Sequence, residues 1–321
     1  MTDLPPSSSA GPVCVLGLGL IGGSLLRALH DDGWSVFGYN RSSTSVQAAV
    51  ADGYDASDDL DAVLRRAADD DAVVVLATPV TTIDALLTAV AAHAPDCLLT
   101  DVISVKQPVA QAVARLHPGA RYVGGHPMAG TSRSGWEATD PALFVDAMWM
   151  LSTPDDADPA NWLRVATIAR SVGAAVVPAA DDAHDRAVAA ISHLPHLTAA
   201  ATAAVGAGES DLALRLAAGS FRDGTRVAGS APTLQRAMLE ANGIALLNVL
   251  SETIDRLTAA RDELRDHGTV EVLIDDGHRA RLAYEAIAGT ERVPITGISV
   301  GSPGWAAELR RQAHQARVWL G

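Results

Sequence analysis

Lysine is nearly absent from this chain of 321 residues: Lys106 is the single one, and the remaining Lys/Arg positions are all arginine. Basic groups are also outnumbered, 24 against 38 acidic, for a formal charge of −14. A surface of that sign repels phosphate backbones and anionic lipid, so neither nucleic acid nor a membrane is an expected partner. Any anionic ligand must be held by locally placed arginines or backbone N–H groups. Cysteine is almost as scarce. Cys14 and Cys97 stand apart inside apolar runs and read as reduced, buried thiols of a cytoplasmic protein. Apolar runs are short, and none reaches the roughly 18 to 20 residues that a bilayer span needs. Residues 1–12 are polar, rich in Ser and Pro, and lack the basic start and apolar stretch of a signal peptide, so they read as a disordered tail.

What the chain does contain is apolar material. It makes up 48% of the residues, enough for a sizeable core, and at about 150 residues per domain the length suits two domains. From residue 13 to about 180 short apolar runs alternate with helical segments. The runs are 13–16, 36–39, 73–77, 97–102, 122–125, 147–151 and 174–178, with helix-like stretches such as 25–30, 83–93 and 109–116 between them. That alternation predicts an α/β domain with a mostly parallel sheet covered on both faces. Beyond residue 181 Ala- and Leu-rich helical periodicity dominates up to about 290, predicting an all-α domain, and residues 291–321 fit one short strand and one helix. One long helix is expected from Ser230, as N-cap, to about Asp266, with Pro232 in its first turn. Such a helix exceeds what one small domain needs, and its apolar face is expected to pack against a second copy in a homodimer.

The first run leads straight into Gly17-Leu18-Gly19-Leu20-Ile21-Gly22 and then a helix. In a dinucleotide site the first glycine permits the tight turn, Gly19 lets backbone approach the pyrophosphate, and Gly22 lets helix and strand pack closely. The N–H groups of the helix start, at Leu20 and Ile21, then face the phosphates. The context turns a weak motif into a Rossmann-type assignment for residues 13–180. The second run ends at Asn40-Arg41-Ser42, where NAD sites usually carry an acid for the ribose 2′-hydroxyl. Arg41 with Ser42 could instead hold a 2′-phosphate, which makes NADP the preferred expectation over NAD; the competing reading is a solvated loop.

Ligands of an open α/β sheet bind beyond the carboxyl ends of the strands. Thr78-Pro79, Ser104-Val105-Lys106 and Gly124-Gly125-His126-Pro127 fall there. His126 is the candidate base, with the glycines leaving room beside its ring for substrate or nicotinamide. Ser104 could orient a hydroxyl or cap the following helix, and Lys106 could bind an anion or be solvated. His184, His193 and His196 invite a metal reading, but no Cys or repeated acid completes a ligand set, so no metal is expected. Arg222 and Arg226, in the polar insert 219–226, could bind a carboxylate or simply pair with Asp223 in solvent.

Together, Gly17–Ser24, Asp101–Lys106, Gly124–Gly135, Ser192-His193-Leu194-Pro195-His196 and Gly219–Pro232 resemble the prephenate dehydrogenase family of tyrosine biosynthesis. The resemblance implies a Rossmann domain followed by a helical dimerisation domain. It also implies oxidative decarboxylation of prephenate to 4-hydroxyphenylpyruvate with hydride transfer to NAD(P), or the same reaction on arogenate, giving tyrosine. Carried over, His126 becomes the hydrogen-bond partner and base for the ring hydroxyl, Ser104 orients both, and Arg226 binds a substrate carboxylate. Thr131, His196, Gly219 and Arg222 are implied around the substrate, with His193 in support. The family's acid after the second strand is replaced by Asn40-Arg41. The tail from Ile295 faintly resembles the start of an ACT-type regulatory module but is too short for one. A β-hydroxyacid reductase is the competing enzyme, disfavoured because no lysine follows Lys106. A cofactor-binding redox sensor without turnover is the competing non-enzyme.

Overall fold

The computed structural model describes residues 11–131 and 133–321, so the tail expected over residues 1–12 lies outside the described residues as far as position 10. Six strands, β1 (Val13–Leu16), β2 (Val36–Tyr39), β3 (Ala56–Ser57), β4 (Val73–Leu76), β5 (Leu98–Asp101) and β6 (Arg121–Val123), form one parallel sheet in the order β3-β2-β1-β4-β5-β6. Alternation along each strand divides the core in two. Val13, Val15, Val73 and Val75 face helices Leu20–Asp31 and Pro159–Ser171. Cys14, Leu16, Val74 and Leu76 face helices Leu60–Asp69, Ile83–His93 and Gln107–Leu116. Both cysteines are free and buried, and burial pushes the Cys14 thiol pKa up.

The remaining runs do not join this sheet. β7 (Gly125–Pro127) runs antiparallel to β8 (Met148–Ser152), which runs parallel to β9 (Ala175–Ala179). The run 122–125, expected as one strand, therefore splits at Gly124 between two sheets. The short β3 escaped notice because two residues carry no periodicity.

The chain divides into two compact units. One extends through Asp185 and takes in Ala231–Ala241 and Pro294–Gly321; the other comprises Arg186–Ser230 and Asn242–Val293. The single long helix expected from Ser230 is two helices, Pro232–Ala241 and Gly243–His267. Asn242 interrupts them at φ −99° and ψ 27°, and its buried side-chain amide donates to His193 Nδ1 at 3.1 Å. Ala231, not Ser230, precedes the first helical residue. Contrary to the expectation of short apolar runs only, Asp181–Glu209 is by length and composition alone long and apolar enough to cross a membrane. Pro195 is tolerated because it follows a π-helical turn, Ala189–His193, at the start of the next helical stretch. Two polar side chains of this run are engaged by protein groups: Asp185 accepts backbone N–H bonds and His193 meets Asn242.

Residues 294–321 complete the first unit's core. Ile295 N–H donates to Val318 O at 2.7 Å, and Trp319 forms an antiparallel bridge with Val176 of β9. The Trp162 ring is met edge-on by Trp305 and Trp319, with centroids 5.6 and 5.2 Å away. Trp319 is 7% exposed. Trp319→Ala should therefore destabilise the protein by about 3 kcal/mol, the lower end for burying and losing an indole. Urea denaturation followed at the first unit's tryptophans measures it, and an unchanged midpoint would show the closing strand to be dispensable.

Candidate active site

Because the strands of the large sheet are parallel, the turn after β1, Thr78 after β4 and the Ser104 turn after β5 lie on the same edge. At that edge Gly17 has φ +112°, and a Cβ on it would sit 2.5 Å from Ala77 O. A Cβ on Gly22 would sit 1.9 Å from Gly17 O, so both positions admit only glycine. Gly19 differs: a Cβ there would meet nothing within 4 Å, leaving open space in front of the helix that begins at Leu20. Gly19 caps that helix without a side-chain bond, and the first-turn N–H groups at Leu20, Ile21 and Gly22 have no acceptor inside the helix. This cradle fits a pyrophosphate.

At the end of β2, Asn40 Oδ1 accepts from Leu18 N–H at 3.2 Å, bracing the glycine turn from within. Arg41 is exposed and forms no ion pair among the described residues. Ser42 caps helix Ser43–Ala51, accepting from Ser45 N at 3.4 Å. Thr78 Oγ1 accepts from Thr82 at 2.9 Å, and Pro79 is exposed beside it.

The third cluster is built on buried charge. Lys106, neither solvated nor turned to a ligand, is fully buried against Asp101 and donates to Gly125 O at 2.5 Å. Asp101 also accepts from Ile103 N at 2.8 Å, Tyr122 OH at 2.7 Å and Gly125 N at 3.3 Å. Burial and then the Asp101 charge push the Tyr122 pKa well up, so it stays a donor. The glycines before His126 make room for protein instead of ligand. A Cβ on Gly125 would lie 2.7 Å from Asp101 O, and one on Gly124 would lie 2.6 Å from Ser152 Oγ.

His126, half-buried on β7, places Nδ1 2.9 Å from Nε2 of His184. His184 Nδ1 lies 2.9 Å from Asp185 Oδ1. Asp185 further accepts from Lys106 N at 2.8 Å and Gln107 N at 2.9 Å, the first N–H groups of helix Gln107–Leu116. Ser104 is therefore not the cap of that helix; Lys106 holds the cap position and a distant carboxylate does the capping. Burial pushes Asp185 up, but the His184 bond and the two backbone bonds outweigh it and hold the carboxyl below its ordinary range. Thr131, exposed, accepts from Arg133 N at 3.2 Å.

In the second unit, His196 Nδ1 is buried without a hydrogen-bond partner among the described residues. Burial, followed by the nearby Arg226 guanidinium, lowers its pKa. The polar insert expected between helices is itself helical, Gly219–Thr225, followed by a 3₁₀ turn, Arg226–Gly229. Arg222 pairs with Asp223 at 3.2 Å with both side chains exposed, whereas Arg226 forms no ion pair among the described residues.

Sequence reasoning missed Asp185 altogether and saw His184 only as a doubtful metal ligand. The adjacent His184-Asp185 pair was the available signal, but nothing local said that it faces His126.

Two family models match the chain: "Prephenate dehydrogenase, nucleotide-binding domain" over residues 25–178 and "Prephenate dehydrogenase, dimerization domain" over residues 180–274. A prephenate dehydrogenase of Bacillus subtilis is 32% identical over 78% of this chain and 69% of its own length. A crystal structure from Corynebacterium glutamicum, provisionally assigned as a prephenate dehydrogenase, is 46% identical with a TM-score of 0.91, covering 96% of this chain and 98% of that one. Synechocystis arogenate dehydrogenase is 32% identical with a TM-score of 0.72 over 85% and 99%. Aquifex aeolicus prephenate dehydrogenase, solved with hydroxyphenyl propionate and NAD+, is 25% identical with a TM-score of 0.77 over 86% and 98%. With a parallel nucleotide-binding sheet followed by helices and both family models in register, this chain belongs to the prephenate dehydrogenase family.

Proposed function

We propose that the chain catalyses the NAD(P)-dependent oxidative decarboxylation of prephenate to 4-hydroxyphenylpyruvate, in tyrosine biosynthesis. The observation that carries this reading is His126, on the β7 strand that Asp101 and Lys106 tie to the end of β5, in a chain of this family. A bound nicotinamide accepts the hydride that leaves the hydroxyl-bearing ring carbon. His126 takes the hydroxyl proton, Ser104 orients that hydroxyl, and Arg226 holds a substrate carboxylate while the ring loses carbon dioxide and becomes aromatic. Thr131, His196, Gly219 and Arg222 complete the substrate's surroundings, with His193, bonded to Asn242, in support. The chain's residues hold substrate in register and supply the proton acceptor; aromatisation supplies the driving force. Arogenate is the second reading, favoured by the 32% identity to the Synechocystis arogenate dehydrogenase.

NADP is the proposed preferred cofactor, with NAD also accepted. The Asn40 oxygen is engaged on Leu18 N–H, an asparagine stands where NAD sites usually carry an acid, and Arg41 is exposed without an ion pair among the described residues. A homodimer forms through the second unit. Helix Gly243–His267 exposes Ile244, Leu247, Ile254, Leu257 and Leu264 at spacings of three and seven, an apolar stripe that a partner would cover.

Four outcomes test this. Parallel steady-state assays with prephenate and arogenate, each with NAD+ and NADP+, should give the highest kcat/KM for prephenate with NADP+; turnover of neither substrate would end the proposal. His126→Asn should cut kcat by about 100-fold or more with cofactor affinity unchanged, the usual scale for a general base, while Arg226→Gln should chiefly raise KM for the substrate. Arg41→Ala should lower kcat/KM for NADP+ by about tenfold and for NAD+ far less, since a charge-assisted pair is lost only with the phosphate. Equal losses would show that Arg41 does not read the phosphate.

A further inference from the structure

We propose that His184 and Asp185 are positioning residues for His126, holding its imidazole in the tautomer with the proton on Nδ1 and the lone pair on Nε2. The inference rests on the reading of His126 as the proton acceptor and adds what makes it one. All the groups involved belong to the first unit.

The direction of each bond follows from one carboxylate. Asp185 accepts from two backbone N–H groups at 2.8 and 2.9 Å at the start of a helix, so it is held ionised and can only accept. The third group facing it, His184 Nδ1 at 2.9 Å, must then carry a hydrogen. A neutral imidazole with its hydrogen on Nδ1 has only a lone pair on Nε2. That lone pair faces His126 Nδ1 at 2.9 Å, so His126 Nδ1 in turn donates. The remaining nitrogen of His126, Nε2, is left as the basic atom. The opposite assignment would aim two lone pairs at each other beside a buried carboxylate, losing a hydrogen bond where no solvent can replace it. His184 is 6% exposed and Asp185 1% exposed.

The arrangement also suits the state after proton uptake. When Nε2 takes the hydroxyl proton, the imidazolium keeps its Nδ1–H on His184, and no group in the relay has to turn. The His184 ring stands edge-on to His126, with centroids 5.1 Å apart at 84°, so it limits rotation of the base as well as its tautomer. A carboxylate that orients an imidazole in this way is the logic of hydrolytic triads, extended here by one ring.

The test combines a direct readout of the tautomer with kinetics. In 15N-histidine-labelled enzyme, His126, assigned by its loss in His126→Asn, should show a protonated Nδ1 and an unprotonated Nε2. His184→Leu removes the acceptor and should lower kcat by about 100-fold with KM for substrate and cofactor within about twofold, the scale expected when a base is misoriented. His184→Gln, whose carbonyl oxygen can take the place of Nε2, should recover most of that loss. Asp185→Asn should shift the His126 proton to Nε2, because the amide can donate to His184 and reverse the relay. It also weakens the helix cap and can unfold the protein, which is why the His184 pair carries the kinetic test. A wild-type His126 with its proton on Nε2 overturns the proposal, as does folded His184→Leu with kcat within about threefold of wild type. If the wild-type enzyme turns over neither prephenate nor arogenate, the functional reading fails while the tautomer measurement still decides the relay.

Discussion

A lysine and an aspartate that never meet water hold the proposed catalytic edge of this protein together. Lys106 and Asp101 are both fully buried, and taking two charges out of solvent is tolerable only when every remaining hydrogen-bond site is used. Here they are. Asp101 collects donors from Lys106, Ile103, Tyr122 and Gly125, and Lys106 also reaches Gly125 O. Breaking one side of such a pair typically costs about 3–5 kcal/mol, because the partner charge stays behind. That energy is invested between the end of β5, the Ser104 turn and the strand bearing His126. The two sheets are locked at the place where the proposed chemistry needs fixed distances.

The glycines acquire a different meaning in that setting. Gly124 and Gly125 look like room for a ligand when read as sequence, yet their missing side chains let Asp101 O, Ser152 Oγ and Trp149 close on the backbone. Gly19, unlike Gly124 and Gly125, has open space before it. Flexibility of composition therefore buys rigidity at His126 and access at the nucleotide turn, two opposite uses of one residue type.

Much of this was legible in the sequence where the signal is local and periodic. β1, β2, β4 and β5 follow from short apolar runs, and the turn at Gly17–Gly22 follows from three glycines between a strand and a helix. Sheet membership was not legible, since the run 122–125 gives no sign that pairing changes at Gly124. The helix break at Asn242 was hidden because a hydrogen bond to His193, 49 residues away in sequence, makes a non-helical backbone worthwhile there. His126 was found through its own motif. Its partners were not, because His184 lies 58 residues further on, and Asp185 reaches back 79 residues to the Lys106 backbone. Single-residue reasoning weighs a histidine by its neighbours in the chain, whereas its tautomer is set by its neighbours in space.

Charge leads to a similar division of labour among the arginines. With 38 acidic groups against 24 basic, most guanidinium groups have a carboxylate within easy reach, and several take one, as Arg222 takes Asp223 and Arg256 takes Glu252. An arginine already neutralised in this way offers little to an incoming anion, since the pair must be broken or shared. At about 8 Å of screening length in physiological salt, the chain's overall negative field is felt only close to its sources. What decides anion binding is then whether a given guanidinium has been left without a carboxylate. Arg41 and Arg226 meet that condition among the described residues, and Arg222 does not. Of the two arginines in the 219–226 segment, Arg226 is therefore the better suited to the proposed substrate carboxylate, with Arg222 already paired to Asp223.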